Sequence, residues 1–93
     1  MPSAIIHNVA AKRFETTIAG RTAVLEYEER GEVLVFTHTR VPGELRGRGI
    51  AAELTEAALR HARASGRRVV PVCSYVVAYL GRHREHGDLV AGG

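Results

Sequence analysis

A single stretch separates two regions of this sequence that obey different periodicities: Val41-Pro42-Gly43-Glu44-Leu45-Arg46-Gly47-Arg48-Gly49-Ile50-Ala51-Ala52. Before it, apolar residues recur at every second position; after it, they recur at helical spacing. Residues 13–18 alternate, with Phe14, Thr16 and Ile18 on one face and Arg13, Glu15 and Thr17 on the other, as in a half-buried strand. Ala19-Gly20-Arg21 supplies a hairpin turn, and residues 22–29 alternate again with Ala23, Leu25 and Tyr27 inward. Arg30-Gly31-Glu32 is a second turn. It leads into Val33-Leu34-Val35-Phe36, apolar on both faces and so expected as a central strand covered on both sides. This predicts a three-stranded antiparallel meander. Residues 1–12 show no period and are expected to begin loose.

Beyond the glycines, residues 50–65 read as an amphipathic helix with Ile50, Leu54, Ala57, Ala58 and His61 inward and Glu53, Glu56, Arg60 and Arg63 outward. Gly66 stands where a helix commonly stops. Val69-Val70-Pro71-Val72-Cys73 is a short apolar run suited to a buried parallel strand, so strand, helix and strand form a right-handed crossover. Pro71 donates no ladder hydrogen bond and implies a gap in the pairing. Ser74 can cap a second helix running from Tyr75 to about His83. The tail predicts one short turn around Asp88-Leu89-Val90 and then frays.

The glycine loop opens the first helix, and that placement has chemistry. The first amides of a helix lack intrahelical partners and sit at the positive end of its dipole. A phosphate satisfies both. Gly47 and Gly49 let the loop turn tightly, and Arg46 and Arg48 add forked cationic donors. The loop lacks the lysine of a P-loop. Gly47-x-Gly49-x-x-Ala52 fits a dinucleotide fingerprint, but the preceding strand ends well before it and no acidic residue follows about 20 positions on. The competing reading is an ordinary loop with solvated arginines.

Cys73 ends the last strand just before a helix start, where a thiol pKa is lowered and where open α/β sheets bind ligands. The alternative is a small buried hydrophobe. His38 ends the third strand and, by strict alternation, shares the face of Leu34 and Phe36. With neighbouring strands, His38 and Cys73 meet at the ligand end as base and nucleophile, or as a base that deprotonates an amine; the plain alternative is a partly buried, backbone-bonded His38. His61, His83 and His86 read as surface or packing residues, and Glu26, Glu28 and Glu29 as a solvated strand face. No set of side chains has metal-ligand spacing.

Arg46-Gly47-Arg48-Gly49-Ile50-Ala51 resembles the Gln/Arg-x-x-Gly-x-Gly/Ala signature of the GNAT superfamily of acyl-CoA-dependent N-acetyltransferases. His38-Thr39-Arg40-Val41-Pro42, Val69-Val70-Pro71-Val72-Cys73 and Tyr79-Leu80-x-x-His83 extend the likeness to a compact one-domain subgroup over residues 14–90. The resemblance implies an α+β (α/β-like) architecture: a truncated GNAT fold with the meander, the crossover and a C-terminal helix, as one domain over residues 1–93 with its core at about 13–90. It implies acetyl-CoA as co-substrate and acetyl transfer to an unidentified amine. Arg46, Gly47, Arg48, Gly49, Ile50 and Ala51 would hold the pyrophosphate, and the backbone of Thr39, Arg40 and Val41 would pair with pantetheine in the gap at Pro71. Cys73 and His38 would serve in catalysis, by direct attack or through acetyl-Cys73, and Tyr79 would protonate the departing thiolate. The sequence is expected to lack the substrate-binding helices and final strands of larger members. A non-catalytic acyl-CoA-binding module shares every loop feature.

Composition sets the remaining bounds. The 93 residues suffice for one small domain with a modest core. A net charge of +3 comes from 13 cations against 10 anions spread along the chain, and aromatic residues are 5% without tryptophan. That disfavours nucleic acid, which selects clustered cations and stacking rings. One cysteine forms no internal disulfide and fits a reducing, cytoplasmic setting. No signal peptide is expected, and the longest apolar run, residues 69–80, is too short for a bilayer. A monomer or weak homodimer is expected.

Overall fold

The computed structural model describes residues 4–91. Five strands form one sheet in the order β1(Ile6–Asn8), β2(Arg13–Ile18), β3(Arg21–Arg30), β4(Val33–Arg40) and β5(Arg68–Pro71). The first four pair antiparallel and β5 joins β4 in parallel. α1(Ile50–Ala64) makes the crossover and α2(Ser74–Arg82) follows β5.

The meander and crossover stand as expected, with additions at both ends. Residues 6–8 are not loose: Ile6, His7 and Asn8 pair with Glu15, Phe14 and Arg13, making the meander four-stranded. His7 stacks on Phe14 with centroids 4.2 Å apart, an attachment that no periodicity over three residues could signal. The short turn of the tail is present and order continues through Ala91, while residues 92 and 93, where fraying was expected, lie outside the described residues. A 3₁₀ segment, Arg84–Leu89, buries Leu89 and His86, Val90 bridges to Val69, and Ala91 N–H bonds Val69 O at 2.9 Å.

α1 packs across β2, β3, β4 and β5, and α2 lies beside it against α1 and β5. Phe14, Leu25, Tyr27, Leu34, Phe36, Leu54, Leu59, Val69 and Val76 share the resulting core. β4 is therefore covered by helices on one face only, against the two-sided cover expected from its sequence. Val24 and Val35 on the other face are nonetheless 5% and 9% exposed. They lie between neighbours on adjacent strands, Val24 between Glu15 and Arg40 and Val35 between Glu28 and Val70.

Local rules explain the element ends. α1 closes in a Schellman motif: Gly66 has φ 71°, its N–H bonds Arg63 O, and Arg67 N–H bonds Ala62 O. The β2–β3 hairpin turns on Ala19 and Gly20, with φ 52° and 77°, as a type I′ turn requires. Alanine disfavours that left-handed region and asparagine tolerates it. Ala19→Asn should therefore stabilise the fold by about 0.5–1 kcal/mol, a rise of several degrees in Tm by calorimetry.

Candidate active site

The loop after β4 turns through a 3₁₀ segment, Gly43–Leu45, that buries Leu45. Gly49 occupies the N-cap of α1 at φ 74°, and no side chain caps the helix. A Cβ at Gly49 would meet nothing within 4 Å, so backbone conformation rather than space selects glycine there. The first intrahelical bond is Glu53 N–H to Gly49 O at 3.1 Å, which leaves the amides of Ile50, Ala51 and Ala52 ahead of it. Arg46 and Arg48 are exposed and in no ion pair among the described residues. Val41, Leu45, Arg46, Gly47, Gly49, Ile50 and Ala51 line a cavity of about 130 Å³ over this helix start. These are groups that suit an anion: free amides, a positive dipole end and two guanidinium groups.

The sheet parts beside this loop. β4 and β5 pair only as far as Phe36 opposite Pro71. The Phe36 carbonyl then accepts both Val72 N–H at 3.0 Å and Cys73 N–H at 2.9 Å. β4 continues to Arg40 along β3 without a β5 partner. The gap expected from Pro71 lies there.

Cys73, rather than Ser74, takes the N-cap of α2. Its sulfur lies 3.2 Å from Thr39 Oγ1. Desolvation pushes the thiol pKa up, but the Thr39 hydroxyl and the amides of Val76, Tyr75 and Thr39 outweigh it, so the net shift is downward. The thiolate is thus more stable at the open end of the gap than that of an ordinary cysteine.

His38 is not brought to Cys73 on a common face. Glu26 pairs with His38 and Tyr27 with Phe36, so Thr37 is an extra residue, a β-bulge. The bulge shifts alternation by one step. His38 therefore shares the face of Glu26, opposite to Leu34 and Phe36, and is exposed, while Thr39 takes the helix-side position opposite Leu25. Strict period-two reading fails at one residue, and nothing in Thr37-His38 marks the failure beforehand.

Tyr79 is 4% exposed and its hydroxyl donates to Glu56 Oε1 at 2.6 Å. Burial first, and then the Glu56 carboxylate, raise its pKa well above the ordinary value. A phenol so held releases its proton reluctantly, which works against the general-acid role expected for it. Glu56 also accepts from Arg60 Nε at 3.0 Å and from His86 Nε2 at 3.0 Å. Desolvation pushes Glu56 up, yet the bonds from Tyr79, Arg60 and His86 overcome it and hold it at about 2. Glu56, read as an outward helix position, instead joins Tyr79 and His86 in a partly buried network between α1, α2 and the 3₁₀ segment, where His86 takes the packing role of its two readings.

The profile of GCN5-related N-acetyl-transferases matches residues 13–89. The chain belongs to that family. This GCN5-related chain is similar to Protein NATD1 of Mus musculus, 34% identical over 82 residues that cover 85% of the chain and 74% of the relative. Its fold is also that of a GCN5-like protein from Staphylococcus aureus solved by NMR. The TM-score is 0.75 with 22% identity, over 97% of this chain and 89% of the other. Among the described residues of this family member, no group of three or more His, Cys, Asp or Glu side chains could hold a metal ion. No helix among them is long and apolar enough to cross a membrane.

Two outcomes follow from these contacts. Thr39→Val removes a hydrogen bond to the thiolate, ~1 kcal/mol, and should slow iodoacetamide alkylation of Cys73 at neutral pH about fivefold. An unchanged rate would remove Thr39 from thiol activation. Glu56 has its folded pKa depressed from 4.5 to about 2, so its contribution is complete above 4.5 and is lost as pH falls towards 2. Glu56→Gln should lower stability by about 1–3 kcal/mol at neutral pH, and thermal melts from pH 5 to pH 2 should show that deficit shrinking with acidity.

Proposed function

We propose that the chain is an acetyl-CoA-dependent N-acetyltransferase acting on an amine, in a cytoplasmic setting. One observation carries the reading: an uncapped helix start, lined by Arg46, Gly47 and Gly49, adjoins a gap in the sheet at whose mouth a thiol is poised. In this reading the amides of residues 50–52, with Arg46 and Arg48, hold the pyrophosphate. The pantetheine arm runs along the open edge of residues 39–41, its amides taking the hydrogen bonds that a neighbouring strand would supply. The thioester then lies near Cys73.

Two routes complete the transfer. In the direct route a deprotonated amine attacks the thioester carbon, its proton passes to a base, and CoA thiolate leaves. In the covalent route the Cys73 thiolate attacks first and expels CoA thiolate. The amine then attacks acetyl-Cys73, its proton passes to solvent water or the released CoA thiolate, and the Cys73 thiolate departs. The depressed thiol pKa and the Thr39 contact support the second route. His38, on the opposite face, suits a base only for an amine arriving from that side.

A second reading is a non-catalytic acyl-CoA-binding module, favoured by the engagement of the Tyr79 hydroxyl with Glu56 and by the separation of His38 from the face of Cys73. Calorimetric titration with acetyl-CoA tests what both share. One-to-one binding is expected, weakened at least about tenfold in an Arg46→Ala, Arg48→Ala double variant that loses two charge-assisted contacts. Absence of binding overturns both readings. Acetyl-CoA consumption with a panel of amines then separates them: turnover lost in Cys73→Ala supports the covalent route, and turnover kept removes Cys73 from the chemistry.

A further inference from the structure

A second cluster of ionisable side chains lies away from the thiol, at the β1 edge of the sheet. His7 is the ring that β1 contributes to the helix-side face. It stacks on Phe14 of β2 at 4.2 Å and 11°, meets His61 of α1 edge-on at 4.4 Å, and its Nε2 lies 2.6 Å from the Tyr27 hydroxyl of β3. β1 itself has three residues, is paired on one side only, and exposes Ile6. The ring cluster is therefore a principal attachment of this strand. We propose that His7, enclosed by Phe14, Tyr27 and His61, makes β1 an acid-releasable strap on the edge of the sheet.

The charges around His7 decide the direction. Phe14 offers no counter-ion, and Tyr27 offers a neutral hydroxyl whose own pKa is raised by burial. His61 from α1 opposes a positive neighbour. Among the described residues Glu29 of β3 is the carboxylate that favours the cation, and it is already paired with Lys12 at 3.5 Å and with Arg67. Desolvation first, and His61 second, lower the His7 pKa against this opposition. In water the freed ring regains an ordinary value near 6.5. The released strand thus binds the proton more readily than the docked one. Docking is fully favoured above that value and weakens as pH falls through it towards the docked value.

Amide hydrogen exchange tests this on the intact chain, between about pH 7.5 and about pH 5, after correction for intrinsic rates. The opening constant of residues 5–9 should rise by up to about tenfold per pH unit below ~6.5, while β3 and β4 keep their protection. His7→Phe retains the stacking but cannot ionise, and should flatten that dependence. Equal pH dependence in the variant, or protection of β1 unchanged across the range, overturns the proposal. A direct NMR titration of the wild-type His7 ring needs no variant: a midpoint below about 6.5 supports the strap, and one at or above it overturns it.

Discussion

The Phe36 carbonyl accepts two amides, from Val72 and Cys73, and the open end of the sheet is arranged around that point. A parallel pair normally continues as an evenly spaced ladder. Here Pro71 withholds its amide and the next two residues both turn back to one acceptor, so β5 leaves the sheet while β4 runs on. The departure leaves an open backbone edge on β4 and points the end of β5 into a helix start. A thiol at that corner receives the amides of α2, and Thr39 faces it because β4 has not yet ended. Without the early parting, strand pairing would occupy the edge that a linear amide-bearing ligand would need.

The bulge at Thr37 then places neighbouring side chains on the two faces of the sheet. One extra residue in β4 turns Thr39 towards the helices and His38 away from them. His38 is therefore separated from Cys73 by the sheet and forms no contact with its sulfur. The thiol is instead tuned by neutral donors, a hydroxyl and backbone amides, which stabilise the anion without supplying a proton acceptor.

How much of this was legible depends on whether a feature leaves a trace in local sequence. The β2 and β3 faces, the two hairpin turns, α1 with its Gly66 stop and the gap at Pro71 each rest on a pattern a few residues long, and each stands in the structure. The glycine–arginine loop was equally readable, because free amides and positive-φ glycines are written in the residues themselves. The bulge was not, since Thr37 has no side chain that demands one; its position is set by pairing with β3. β1 was missed because three residues hold no period, and its attachment is to Phe14, Tyr27 and His61, distant in sequence.

Glu56 shows the same limit in a buried setting. Its spacing to Arg60 is that of an exposed helical ion pair, and that pair is present. What the spacing does not reveal is that the same carboxylate faces Tyr79 and His86 across two other elements. A carboxylate drawn partly out of water is unfavourable unless its oxygens are hydrogen-bonded, and three donors from three sources meet that need. The consequence reaches the thiol. α2 is a helix of nine residues, too short to hold its place by helix propensity alone. Tyr79 anchors its second half to α1, while its first turn carries the amides that face Cys73. The network thus ties the same short helix to α1 and to the 3₁₀ segment at one end while its other end meets Cys73.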